Sequence, residues 1–548
     1  MKISILLLAL ISFFNLFNNA SYSQTPNWLW AKGAGGISSD YPQSITVDAS
    51  GNIYVVGCFY SPSLIFGFDT LTNMGAIDIF LVKYDANGNV QWAKSVGGTK
   101  NDYVNSVALD ASGNPYVVGV FESPTITFDS IILANVGNGD MFVTKYDANG
   151  NVLWAKSAGG TEIDAAYSIV VDISGNVYVA GVFYGSSITF GSNTLLNAGE
   201  SDFFLTKYNT YGTVLWAVGA GGTSADEARS VARDTSGNIY LTGVFNSPSI
   251  TFENDTLTNM GANDIFLVKY DASGNVLWAN RTGGSFNDFD PFIAVESTGN
   301  IYVTGAFISP TLTISNLTLT SMGAVDVFLT KYDANGNALW ATSAGGWGSE
   351  NPKSIAVDAS GNAYIVGEFY YSTLSFGNFT LNNTFLPACD VFLAKYDANG
   401  NVIWATSFGG TGIDYVSCIS LDVSGNSYVA GCFQSPTIQF GSTVLTNTAN
   451  LFDIFLAKLG SNIGINEITN SSDILVFPNP AKDKITIIQS ATSNRCHLSI
   501  QNVSGNQLLQ KEITEPKTQI DISNLLNGVY FVRLIDERTV QTGKFVKQ

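Results

Sequence analysis

From residue 27 to residue 460 the chain alternates short apolar runs with clusters of Asp, Asn, Ser and Gly. In the first full copy of this pattern, "SITVD" (44–48) alternates apolar and polar positions. "NIYVVGCF" (52–59), "DIFLVKY" (78–84) and "NVQWAKS" (89–95) are rich in β-branched and aromatic residues. Both signatures predict β-strands, lettered a, b, c and d in that order. No stretch of the repeats spaces its apolar residues as an amphipathic helix would. Strands b and c are apolar on both faces, so a small sheet built from them must be covered on both sides.

The pattern recurs at a fixed spacing. The Trp of strand d stands at 30, 92, 154, 216, 278, 340 and 404, in five steps of 62 residues and one of 64. The Tyr of strand b stands at 54, 116, 178, 240, 302, 364 and 428, and the Phe of strand c at 80, 142, 204, 266, 328, 392 and 455. Three signatures locked to one period mark one supersecondary unit copied seven times. A ring of four-stranded blades supplies the cover each sheet needs, so the predicted fold is all-β, a seven-bladed β-propeller over 24–460. The chain opens with a lone strand d, "NWLWAKGAGG" (27–36), and the last repeat stops after strand c, "DIFLAKLG" (453–460). The N-terminal strand is therefore expected to complete the last blade. Between strands b and c, segments such as "SPTITFDSIILAN" (123–135) predict a short extra ribbon. A polar linker (461–473) follows. In 474–548 apolar and polar residues alternate between turns at Asn-Pro, Ser-Gly and Asn-Gly, which predicts a small β-sandwich.

"DANGN" and "DASGN", between strands c and d and between a and b, place an Asp, two Asn and a Gly where a metal loop could sit. An EF-hand loop needs Gly at its sixth position and Glu at its twelfth. Here Gly is fourth and no such Glu follows, whereas Asn-Gly or Ser-Gly supplies the left-handed residue of a tight hairpin and Asp can cap its amides. These stretches are read as hairpins.

Charged residues make up only 13% of the chain, and the net charge of −19 argues against nucleic acid or an anionic membrane as partner. Residues 1–23, with Lys2 ahead of an apolar run from Ile3 to Phe14, read as a secretory signal peptide, too short to span a membrane. No later segment predicts a membrane span. Export permits disulfides, but the five cysteines (58, 389, 418, 432 and 496) are odd in number. Cys418 and Cys432 fall on neighbouring strands, offset from direct opposition. A bridge there and buried free thiols both stay open at this stage.

"SIAVDASGNAYIVGEF" (354–369) resembles the SBBP β-propeller repeat and, more distantly, the NHL repeat. Seven units carry D-x-S/T-G-N-x-Y in one register, with Glu296 alone replacing the leading Asp. The resemblance implies a propeller and bacterial export, without a single activity. The tail closely resembles the C-terminal sorting domain of the type IX (Por) secretion system of Bacteroidetes. The matching residues are Pro478, Asn479, Pro480, Gly505, Gly528 with Tyr530, and Lys544 with Lys547. That resemblance implies the type IX machinery as partner of 474–548, passage through the periplasm, and a product secreted or held on the outer cell surface.

The only histidine, His497, lies in the tail, which removes His-based nucleophilic and zinc sites from the repeats. Paired carboxylates of glycosidase type stay open, because acids are plentiful. The seven Trp are read as packing between blades and the seven Lys of strand c as partners of nearby acids. Arg233 breaks a pattern that is Val or Leu in the other copies, and is expected to meet a carboxylate or open onto the central channel. One acid precedes each strand a: Asp40, Asp102, Asp164, Asp226, Asp288, Glu350 and Asp414. This ring is a candidate Ca²⁺ site, with no other cofactor expected; the competing reading is that each acid caps its own "GG" loop. Two functions follow. One is a non-catalytic binding, adhesion or scaffold propeller with a glycan or protein ligand. The other is a carboxylate-dependent polysaccharide-active enzyme, favoured if residues unique to single blades gather in one pocket.

Overall fold

The computed structural model describes residues 26–371, 373–383, 385, 388–447, 449–461, 474–488, 496–502, 506–515, 517–535 and 540–548. The signal-peptide reading (1–23), the linker apart from Ser461, and Gly505 lie outside the described residues. All regular structure among the described residues is β-strand. No described helix is long and apolar enough to cross a membrane. Contacts divide the chain into two compact units, 1–463 and 464–548.

In the first unit, four antiparallel strands pair seven times in the order a-b-c-d. The first sheet consists of Asp40–Val47, Ile53–Phe59, Asp78–Tyr84 and Val90–Val96. Every residue of Ile53–Phe59 is buried, as its two apolar faces require. One apolar cluster joins Val56, Ile79 and Leu81 of this sheet to Val104, Val117 and Phe142 of the next, so neighbouring sheets cover one another face to face. Strands a touch from sheet to sheet, and Asp40–Val47 meets both Asp102–Leu109 and Asp414–Leu421. In the last sheet strand d is Trp28–Ala34, paired with Asp453–Leu459 through Trp30↔Lys458 and Ala31↔Ala457. Chain start and repeat end thus share one sheet.

The hairpins carry their own capping. Asp147 Oδ1 accepts the amides of Asn149 and Asn151, each at 2.9 Å, and Oδ2 accepts Asn151 Nδ2 at 2.8 Å. Gly150 takes φ 82°, the left-handed region where a side chain is strained. Its missing Cβ also makes room for Trp92 of the preceding sheet, whose ring would lie 3.2 Å from such an atom. Trp92 Nε1 donates to Ala148 O at 3.2 Å, and the ring packs edge-on to Tyr54. The repeated Trp is thus a clasp between sheets.

The expected ribbon is present. Ser63–Phe66 pairs with Asp69–Thr72. Each ribbon lies against strand d of its own sheet and of the preceding one. At one place the ribbon strand Thr311–Ile314 pairs with Val276–Gly283, extending that sheet to six strands.

The second unit holds a three-stranded and a four-stranded sheet around a core of Ile485, Leu498, Val532 and Phe545. Asn479 ties its first segment to its last strand: Val546 N donates to Asn479 Oδ1 at 2.9 Å, and Asn479 Nδ2 donates to Lys544 O at 3.1 Å. Pro478 and Pro480 both follow cis peptide bonds. Gly528 opens the strand Gly528–Ile535, in which Tyr530 donates its hydroxyl to Leu526 O at 2.6 Å and stacks on Phe545.

The five cysteines are buried, and Cys58, Cys389, Cys418 and Cys432 are free thiols. Cys418 faces Ala430 and Cys432 faces Tyr415, which keeps the two apart in register. No bridge joins them, and burial pushes the Cys58 and Cys389 thiols up to about 12.

Candidate functional site

Two kinds of residue meet on the inner side of the sheets: those that repeat and those that do not. The repeating acids before strand a are buried. Asp102 Oδ2 accepts Gly98 N at 2.7 Å and Ser123 Oγ at 2.8 Å, and Oδ1 accepts Ser123 N at 3.2 Å. Asp40, Asp226 and Asp414 make the same bonds to Ser61, Ser247 and Ser435. The serine was not foreseen, although the sequence marks it with a Ser-Pro pair just after strand b, as at 61–62 and 123–124. Gly185 and Tyr371 replace it in two copies. There Asp164 and Glu350 keep the glycine amide without the serine hydroxyl, and burial lifts their carboxyls to about 7 and about 8. Asp288, whose serine bond is stretched to 3.3 Å, also rises to about 7, again mainly by burial.

A second acid precedes each strand c. Asp78 Oδ2 accepts Met74 N at 2.7 Å, while a Cβ on Gly97 would fall 2.1 Å from Oδ1. Asp78 and Asp102 therefore close on the same Gly97-Gly98 pair from neighbouring sheets. The ring acids are committed to these loops, one per sheet. No group of three or more His, Cys, Asp or Glu able to hold a metal ion exists among the described residues.

Replacing Gly185 by Ser is expected to supply the missing hydroxyl, because a Cβ there meets nothing closer than 3.6 Å. Stability should rise by about 1 kcal/mol, the net worth of one added hydrogen bond. Chemical denaturation checks it; an unchanged midpoint would show that Asp164 needs no second donor.

The Lys of strand c sits over the Tyr of strand b, as Lys145 does over Tyr116 at 4.7 Å to the ring centre. Lys145, Lys331, Lys395 and Lys458 also pair with acids at 3.2–3.6 Å. Lys83, Lys207 and Lys269 instead donate to backbone carbonyls.

The non-repeating residues occupy one position. Strand a carries a β-bulge, seen in the first copy between Pro42 and Ser44, that leaves the residue three after the acid outside the pairing. In six copies these residues are Gln43, Asn105, Tyr167, Arg229, Lys353 and Ser417. In the fifth the irregularity is wider and takes in Asp290 and Pro291. All of them line a single cavity of about 380 Å³. A bulge re-aims a side chain without disturbing the flanking strand, so this position is free to vary while the sheets stay alike. Asp290 holds φ 50°, a left-handed conformation uncommon outside glycine.

The lining residues Arg229 and Lys353 each pair with a carboxylate. Arg229 Nη2 lies 2.6 Å from Glu227 Oε2, and its guanidinium sits 4.9 Å from the centre of the Tyr167 ring. Tyr184 donates its hydroxyl to Glu227 Oε1 at 3.1 Å. Glu368, where the other copies have Cys, Val or Ala, is buried and lies 3.9 Å from Lys353 Nζ. Burial lifts its carboxyl to about 7 against the pull of Lys353. Tyr41 and Tyr415 complete the wall, both packed on Phe452.

At the other end of the inner strands, a cavity of about 450 Å³ is lined by Val171, Arg233 and Glu296 among others. Arg233 Nε donates to Val171 O at 2.7 Å and Nη1 to Asp234 O at 3.3 Å. Its acceptors are carbonyls rather than the expected carboxylate, and it opens onto this cavity.

Residues 475–548 match the family described as "Secretion system C-terminal sorting domain", and residues 29–57 and 216–247 match "Beta-propeller repeat", SBBP. The sorting domain implies a Bacteroidetes source and export to the cell surface or secretion. The chain is 26% identical over 512 residues to an uncharacterized WD repeat-containing protein of Acanthamoeba polyphaga mimivirus, covering 75% of this chain and 36% of that protein. It is 27% identical over 316 residues to the regulatory protein FlaEY of Caulobacter vibrioides, covering 54% and 33%. It thus spans about a third of the length of these curated relatives. A solved structure of a Dyadobacter fermentans protein of unknown function aligns with TM-score 0.38 and 8% identity, over 80% of this chain and 99% of that one.

Proposed function

We propose that this chain, which carries SBBP β-propeller repeats and a secretion-system sorting tail, is a surface-displayed or secreted binding protein built on a closed seven-bladed propeller. Residues 1–23 serve as signal peptide, 24–460 as propeller, 461–473 as linker, and 474–548 as a β-sandwich addressed to the type IX machinery after passage through the periplasm. The match of the tail over 475–548 carries the export half of this reading. The binding half rests on the cavity at the bulge residues, where the repeats stop being alike while the sheets around it stay regular. The ring of acids serves the Gly-Gly loops, each acid accepting the amides of its own loop.

The enzymatic reading keeps one observation in its favour. Glu368 is buried, burial lifts its carboxyl to about 7, and it shares its cavity with Asp290. Its ion pair with Lys353 and its burial fit a wall residue better than a proton donor, since a general acid must reach the bond it cleaves.

Removal of residues 474–548 should leave a folded propeller in the periplasm and abolish surface delivery. Cell fractionation with protease shaving of intact cells checks this. Normal display of the truncated protein would remove the basis for the sorting assignment.

A further inference from the structure

The sixth repeat concentrates the departures from the common pattern. Its step is 64 residues, its ring acid is Glu350, and Lys353 and Glu368 belong to it. After each Gly-Gly pair the other copies place Ile, Thr or Ser, but here stands Trp347, 87% exposed. Where most copies place the capping serine, Tyr371 stands, 55% exposed, with its ring against Gly348. Glu350 pairs with Phe369, so the loops holding Trp347 and Tyr371 flank the same end of the sheet, the end from which strand a runs to Lys353. An indole this exposed adds nothing to the core, and its apolar area is costly to leave in water.

Resting on the binding reading above, we propose that this mouth binds a neutral oligosaccharide. Trp347 and Tyr371 supply flat apolar faces for sugar rings, and the paired charges at Arg229 and Lys353 exchange hydrogen bonds with its hydroxyls. The pairing decides the ligand's charge. Arg229 is satisfied by Glu227 and Lys353 faces Glu368, so the cavity holds donors and acceptors side by side rather than a cationic field. A hydroxyl both donates and accepts, and it fits between such partners. An anionic glycan would meet Asp290 and Glu368 on a chain of net charge −19.

The test is titration calorimetry of the full exported chain with neutral glucan, xylan and mannan hexasaccharides, beside an oligogalacturonate and a sulfated glycan. One neutral series should bind. Trp347→Ala, at an exposed site that leaves melting unchanged, should weaken it at least tenfold, and Lys353→Met should weaken it as well. Binding only of the acidic glycans, binding indifferent to Trp347→Ala, or binding of none would overturn the proposal. Binding of no glycan by a chain that still reaches the surface would leave the broader binding reading standing for a protein ligand. Cleavage of a bound hexasaccharide, lost in Glu368→Gln, would overturn the non-catalytic reading while keeping the ligand class.

Discussion

Deletion of residues 27–36 is expected to lower the melting temperature by about 10 °C or more and to turn a monodisperse protein into one that associates. The segment supplies the whole outer strand of the last sheet. Trp28 lies 5.2 Å from Phe408 and 5.0 Å from Phe440 between ring centres, and Ala31 is buried against Ala457. Trp28 and Trp30 are half-buried, so each keeps roughly half of the 150–250 Å² a fully buried Trp removes from water, and losing both costs on the order of 5 kcal/mol before the unpaired edge is counted. The bared edge of Asp453–Leu459 is a row of free donors and acceptors, open to any other strand. Scanning calorimetry and light scattering read both effects. A peptide "NWLWAKGAGG" added in trans should restore part of the loss. A truncated protein that stays monomeric with unchanged melting would disprove closure by this strand.

The second large effect is with pH, and its sign is opposite to ordinary acid denaturation. Burial holds Asp164 and Asp288 at about 7, Glu350 at about 8, and Asp78, Asp202, Asp414 and Asp453 at about 6, all above their ordinary range near 4. Folded, these groups take up protons that the unfolded chain has already released. Their contribution is fully present below the unfolded values and is lost as pH rises through 6 to 8. The hairpin acids such as Asp110 and Asp358 are shifted the other way: burial works to raise them, but the bonds from Asn114 and Asn362 outweigh it and hold them below their ordinary value. What they contribute is lost only below about pH 4. Between pH 5 and 8 the raised set decides, and melting should be higher at pH 5 by on the order of 5 °C. Glu350→Gln should narrow that difference. A melting temperature that rises from pH 5 to pH 8 would show that the ring acids are ionised in the fold.

The repeated elements were legible in the sequence because their causes are local. Asp147, Asn149 and Gly150 contain a complete hairpin, and strands such as Ile53–Phe59 announce burial on both faces. The pairing of Trp28–Ala34 with Asp453–Leu459 followed from the order of the signatures. The cavity was hidden for a geometric reason. Alternation along strand a loses phase at the bulge, so Gln43, Tyr167 and Arg229 look like ordinary alternate positions until the register shift is seen. The serine bonded to the ring acid was missed because it lies twenty-one residues away, across the hairpin. Trp347 could have been found: it interrupts a column of Thr, Ser and Ile that no packing argument explains.

The pairing of Trp30 with Lys458 also sets an order of events. Its two strands stand more than four hundred residues apart, so the contact belongs to the slowest class of folding steps, those that close long loops. Each inner sheet can form as its own repeat becomes available, but the ring stays open until the last strand c arrives. That late contact is a natural divide between a row of separate sheets and a joined one.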